Sequence, residues 1–128
     1  MSESAYQPFT PARRPGGRPT KGPTYRVLVH RKFRKHWSEL VERVGLQHAQ
    51  QFWDHVAHTP GLKSPIAQMT ILKGKAGQPM GSGWSRTYHF EISGAGRIDY
   101  QFNDQYQIDA ESDPHRVVAI LTISYSSH

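Results

Sequence analysis

The chain has 128 residues, a hydrophobic fraction of 36%, a charged fraction of 20% and a net charge of +6. That length suits one domain with one modest core, and the positive charge points to a polyanionic partner, nucleic acid before others. There is no cysteine, which excludes disulfides, thiol catalysis and Cys-based zinc sites, and no apolar run reaches the length of a membrane span or a signal-peptide core, so the expected compartment is the cytoplasm.

Residues 1–23 read as a disordered, basic tail. Pro8, Pro11, Pro15, Pro19 and Pro23 interrupt helix and sheet ladders, with Gly16, Gly17 and Gly22 between them and little apolar material to bury. The tail sets Arg13, Arg14, Arg18 and Lys21 against Glu3, so half of the net charge of +6 lies there. It is either an RNA-binding arm or a solubilising linker.

Residues 24–128 read as one α+β domain. Tyr25–His30 alternates and is rich in β-branched residues, which predicts a first strand. Phe33, Trp37, Leu40, Val41 and Val44 make one apolar stripe, which predicts a helix over 32–44 with Gly45 at its end. Leu46, Ala49, Phe52, Trp53 and Val56 predict a second helix over 46–58, stopped by Thr59-Pro60-Gly61. So short a connection makes the two an antiparallel hairpin.

After Pro65 the period changes. Gln68–Leu72 is a weak strand, residues 74–83 are Gly-rich, and strands are expected at 85–92, 97–103 and 116–125. Ser93-Gly94-Ala95-Gly96 is the turn between the first two of these, and Gln105–Pro114 is a polar, acidic loop. Tyr88, Phe90 and Ile92 alternate with His89 and Glu91; Ile98, Tyr100 and Phe102 alternate with Arg97, Asp99 and Gln101. The expected fold is therefore a small antiparallel sheet, in the order β-α-α-β-β-β. One apolar face carries the helical hairpin and one basic, polar face is turned to RNA.

Leu72-Lys73-Gly74, the Gly-rich loop, Gly83-Trp84-Ser85-Arg86, and Arg97-Ile98-Asp99-Tyr100 occur in this order, and a last strand runs through Tyr125 towards His128. This ordered set resembles the RelE/ParE superfamily of bacterial toxins, and most of all its RelE and YoeB branches. The resemblance implies a toxin neutralised by a cognate antitoxin protein. Its activity would be that of a metal-independent endoribonuclease that cuts mRNA on the ribosome and arrests translation, without cofactor or membrane. The ParE branch, of the same fold, poisons DNA gyrase instead.

Metal-free RNA cleavage needs a base for the 2′-OH, a cation for the phosphorane and an acid for the leaving 5′-oxygen. By the resemblance, Arg97 stabilises the phosphate, where a planar guanidinium can hold two oxygens. His128 matches the family's C-terminal His and is the candidate acid or base. The YoeB branch commonly places a Tyr after that His; the nearest Tyr here is Tyr125. The YoeB general-base Glu falls in the region of Thr70 and Ile71, so that role is vacant. His89 and Glu91 stand where the RelE branch tends to have two lysines, and they are either a base with its orienting partner or solvated strand residues.

Lys73, Lys75 and Arg86 are candidates for phosphate contact. For the two lysines the alternative is a solvated charge, and for Arg86 an acidic neighbour. Trp84 either stacks on a base or packs the loop onto the core. His48, His55 and His58 lack acidic or Cys companions, so no metal site is expected. Gly74-Lys75-Ala76 lacks the spacing of a phosphate-binding P-loop. Three functions stay open: ribosome-dependent mRNA cleavage, gyrase inhibition, and RNA binding without catalysis.

Overall fold

Val27, Leu28 and Val29 are buried in a strand that lies between two others, and this placement organises the sheet. The computed structural model describes residues 7–19, 21–63, 68–107, 111 and 113–125. Within them the strands are β1 (Phe9–Pro11), β2 (Arg26–His30), β3 (Gln68–Ile71), β4 (Tyr88–Ile92), β5 (Gly96–Tyr106) and β6 (His115–Tyr125). The helices are α1 (Arg34–Ser38), α2 (Leu40–Val44) and α3 (Leu46–His58). The fold is α+β, with one six-stranded sheet in the order β1-β2-β6-β5-β4-β3.

The sheet is mixed, which corrects the expected antiparallel one. β3, β4, β5 and β6 form an antiparallel meander, but β2 pairs with β6 in parallel, Val27 opposite Val118 and Leu28 opposite Ala119. The helices carry the chain away from β2, and the meander brings it back alongside. β6 thereby becomes a central strand: Val117, Val118, Ala119 and Ile120 are all buried. An unbroken apolar run of that kind is the mark of a strand covered on both faces.

The expected helix over 32–44 is broken into a 3₁₀ turn (Arg31–Phe33), α1 and α2. Ser38 Oγ donates to the Lys35 carbonyl at 2.7 Å, a side-chain bond that competes with the helical ladder at the break. Gly45, at φ 90°, ends α2 and starts α3, a backbone turn that a side chain would strain. α3 runs over the expected residues and buries Ala49, Phe52, Trp53, Val56 and Ala57 against the sheet. There they meet Phe90, Ile98, Tyr100, Val118, Ile120 and Ile123 in one core. Among the described residues no helix is long and apolar enough to cross a membrane.

The tail expected to be disordered is folded onto the domain in its described part. Phe9–Pro11 adds an edge strand antiparallel to β2, and the Ala12 N–H continues it to the Val27 carbonyl at 2.9 Å. An edge strand tolerates proline, whose missing N–H can face outward. The two helix-borne indoles supply the rest. Trp53 Nε1 donates to the Ala12 carbonyl at 2.8 Å and Trp37 Nε1 to the Arg13 carbonyl at 3.2 Å. The buried Trp53 N–H needs an acceptor, and this segment provides it.

Candidate functional site

The β4–β5 hairpin sets its polar residues in directly opposed pairs, His89 across from Asp99 and Glu91 across from Arg97. Their side chains lie on the sheet face away from the helices, because Tyr88, Phe90, Ile98 and Tyr100 take the other one. His89 Nδ1 lies 2.6 Å from Asp99 Oδ1. His89 Nε2 and Arg97 Nε each lie 3.7 Å from Glu91 Oε1. The result is a row, Asp99–His89–Glu91–Arg97, in which the imidazole is 25% exposed and the guanidinium 56%.

Such a row has definite chemistry. A carboxylate on Nδ1 holds the imidazole in one orientation and tautomer, with Nδ1 as donor and Nε2 as the nitrogen that exchanges a proton. Arg97 presents its charge at the exposed end. Asp99 is the member that sequence reasoning placed on this face without giving it a role. The signal was present, since alternation plus a four-residue turn sets it opposite His89.

No family model, curated protein or solved structure matches the chain. The site therefore rests on its own geometry. Among the described residues there is no group of three or more His, Asp or Glu side chains arranged to hold a metal ion.

The face is neither uniformly basic nor uniformly open. The row holds two carboxylates and one guanidinium. Next to it Gln101 is 1% exposed, covered by the loop that follows β3. Met80 N–H donates to Gln101 Oε1 at 2.9 Å, and Gln101 Nε2 donates to the Gln78 carbonyl at 2.8 Å and to Thr87 Oγ1 at 3.0 Å. A buried amide with its donors and acceptor engaged fixes the loop in place. Beyond the loop the floor is apolar: Leu28, Val117 and Ala119 line a cavity of about 180 Å³ together with Trp84 and Tyr106.

The remaining expected residues are scattered. Arg86 is spent on the loop itself: Nε donates to the Leu72 carbonyl and Nη2 to the Gly74 carbonyl, both at 3.0 Å. It pairs with backbone oxygens rather than with an acidic neighbour. Gly77 lies so close beneath that a Cβ there would stand 1.9 Å from the Leu72 oxygen. Lys73 and Lys75 flank that turn and are exposed. Trp84 is half-buried, bridges to Asn103, and has its ring centroid 5.8 Å from that of Tyr106.

Tyr125 lies on the helix face, away from the row. Its hydroxyl donates to the His36 carbonyl, its ring stacks on His36 at 6.1 Å, and the Arg43 guanidinium sits 5.2 Å from the ring centre. Burial pushes its phenol up to about 12, with Glu39 adding to the shift. A hydroxyl so held is a structural donor, not an acid poised near neutrality. His128 lies outside the described residues.

Proposed function

We propose that the chain is a metal-independent endoribonuclease of the RelE type, the toxin of a toxin–antitoxin pair that cuts mRNA on the ribosome. The observation that carries this reading is His89 held by Asp99 at 2.6 Å with its second nitrogen turned towards Glu91 and, beyond it, Arg97. The ordered motifs Leu72-Lys73, Trp84-Ser85-Arg86 and Arg97-Ile98-Asp99-Tyr100 support it by resemblance. In the proposed step His89 Nε2 takes the 2′-OH proton, and the 2′-oxygen attacks the adjacent phosphorus. Arg97 balances the charge that builds on the phosphorane. The 5′-oxygen leaves with a proton, leaving a 2′,3′-cyclic phosphate and a 5′-OH. By resemblance, His128 is the donor of that proton. A cognate antitoxin, the ribosome and mRNA are the partners that follow.

A second reading, RNA binding without cleavage, draws on the row's formal charge. Two carboxylates beside one guanidinium make a poorer phosphate cradle than a cluster of cations would. Primer extension on cellular mRNAs after induction separates the two. The nuclease gives cuts at a fixed place within translated codons, and His89→Ala or Asp99→Asn lowers them by roughly 10²–10⁴-fold. Intact messages under the wild-type chain, or undiminished cutting by both variants, would remove the nuclease.

A further inference from the structure

Folding of the N-terminal segment onto the helices gathers a second group of charges, away from the β4–β5 hairpin. Arg31 and Lys32 lie in the 3₁₀ turn after β2, and Arg34 and Lys35 open α1. Positions three and four apart on helical backbone are neighbours, so these four share one region of surface. Arg13 joins them, since Arg13 and Arg34 line the same cleft of about 240 Å³ between the segment and α1. A larger cleft of about 570 Å³ is lined by Arg13, Arg18 and Trp53. Arg13 lines both, so the two clefts are neighbours.

All six cations are exposed, and none forms an ion pair among the described residues. Arg14, in the same segment, is different. It makes a two-pronged bond to Asp54, Nε at 2.8 Å and Nη2 at 2.9 Å. One arginine therefore fastens the segment while its neighbours keep their charge for something else. The local field is strong enough to act on His30, whose imidazole is held below its ordinary value by burial and then by Lys32 and Arg31.

We propose that Arg13, Arg18, Arg31, Lys32, Arg34 and Lys35 form a phosphate-tracking strip that binds the backbone of RNA. The strip presents guanidinium groups along neighbouring clefts, which suits a chain of phosphodiesters. An anionic membrane fits less well. A membrane-surface helix needs apolar side chains to insert, and here Phe33 and Trp37 are packed against the core. That the nucleic acid is RNA rests on the function proposed above; phosphate binding by the strip does not. The arrangement separates anchoring from chemistry: the strip holds the backbone, and the Asp99–His89–Glu91–Arg97 row addresses a strand elsewhere on the surface.

The test reads binding without cleavage, using the full chain and a labelled 2′-O-methyl RNA hairpin, which has no 2′-OH to attack. Affinity is followed against KCl concentration. Arg13→Gln with Arg34→Gln should reduce the magnitude of the log–log salt slope by roughly 1.5–2 and weaken binding on the order of tenfold near 0.1 M salt. Lys32→Gln with Lys35→Gln, which leaves both clefts intact, should act in the same direction. Circular dichroism checks that each variant is folded. His89→Ala should bind within about twofold of wild type, so loss of cleavage and loss of anchoring are told apart. An unchanged slope in both double variants overturns the strip. So does a loss in His89→Ala as large as theirs, or binding to phosphatidylserine vesicles in preference to RNA; tighter binding to the matching DNA hairpin overturns RNA as the occupant and leaves the phosphate contacts.

Discussion

On its helix-covered side the sheet presents Phe90, Ile98, Tyr100, Val118, Ile120 and Ile123, which close against Phe52 and Val56 of α3. On the other side the same strands present His89, Asp99, Gln101 and Asn103 beside Leu28, Val117 and Ala119. The first side is one continuous apolar contact, with Phe52 edge-on to Phe90 at 5.0 Å and to Tyr100 at 6.2 Å. The second is divided into an open charged row, a polar seam closed by a loop, and an apolar floor. Stability is concentrated where the side chains are alike, and chemistry where they differ. This division can be broken experimentally. Phe52→Ala removes a fully buried ring and should cost about 3–5 kcal/mol in urea unfolding. His89→Ala, on the open row, should cost no more than about 1 kcal/mol. Equal costs would mean that the row is part of the fold's support.

The helix-covered side was largely legible in the sequence. The stripe Leu46, Ala49, Phe52, Trp53 and Val56 and the alternation of Tyr88, Phe90, Ile92, Ile98 and Tyr100 are local patterns, and local patterns survive folding. What was not legible depends on long-range pairing. Alternation shows that Gln101 points away from the helices, but not that Gln78 and Met80 will cover it. The continuous run Val117–Ile120 could have announced a strand buried on both faces, and with it a parallel neighbour. The proline-rich start looked unfoldable because its own side chains bury little. Its order comes from elsewhere, from Trp37, Trp53 and Asp54, which need its carbonyls and Arg14. In the candidate site, His89, Glu91 and Arg97 were singled out and come together. Asp99 was seen and given no role, while Arg86 and Tyr125 are engaged in the fold.

The polar seam offers a finer break. Gln101→Ala strips the Met80 N–H, the Gln78 carbonyl and Thr87 Oγ1 of their shared partner. Gln101 and Thr87 are buried, and losing this bonding should cost about 1–3 kcal/mol, less than the loss of Phe52. The damage should be local. Hydrogen exchange ought to quicken in residues 78–87 and stay slow in α3 and β6. If exchange rises evenly over the whole chain, the seam is part of the main core and the outer side is not divided.

The smallest effect expected is in pH, and it returns to the helix-covered side. His55 lies on α3 with its ring centroid 5.6 Å from that of Phe90, and its Nε2 is buried with no partner at full hydrogen-bond distance among the described residues. Burial holds the imidazole below its ordinary 6.5, against a smaller opposing pull from a backbone bond at Leu62. The unfolded chain therefore binds the proton more readily than the folded one. Stability from this group is complete above the unfolded value of 6.5 and declines as pH falls through it. The urea midpoint should drop between about pH 7.5 and pH 5, and His55→Gln should shrink that drop, with His30 leaving a remainder of the same sign. A wild-type midpoint that rises on acidification would mean that the protonated ring finds a partner in the fold, most directly at Nε2. The apolar side would then contain a polar site of its own, and its contrast with the outer side would be one of degree.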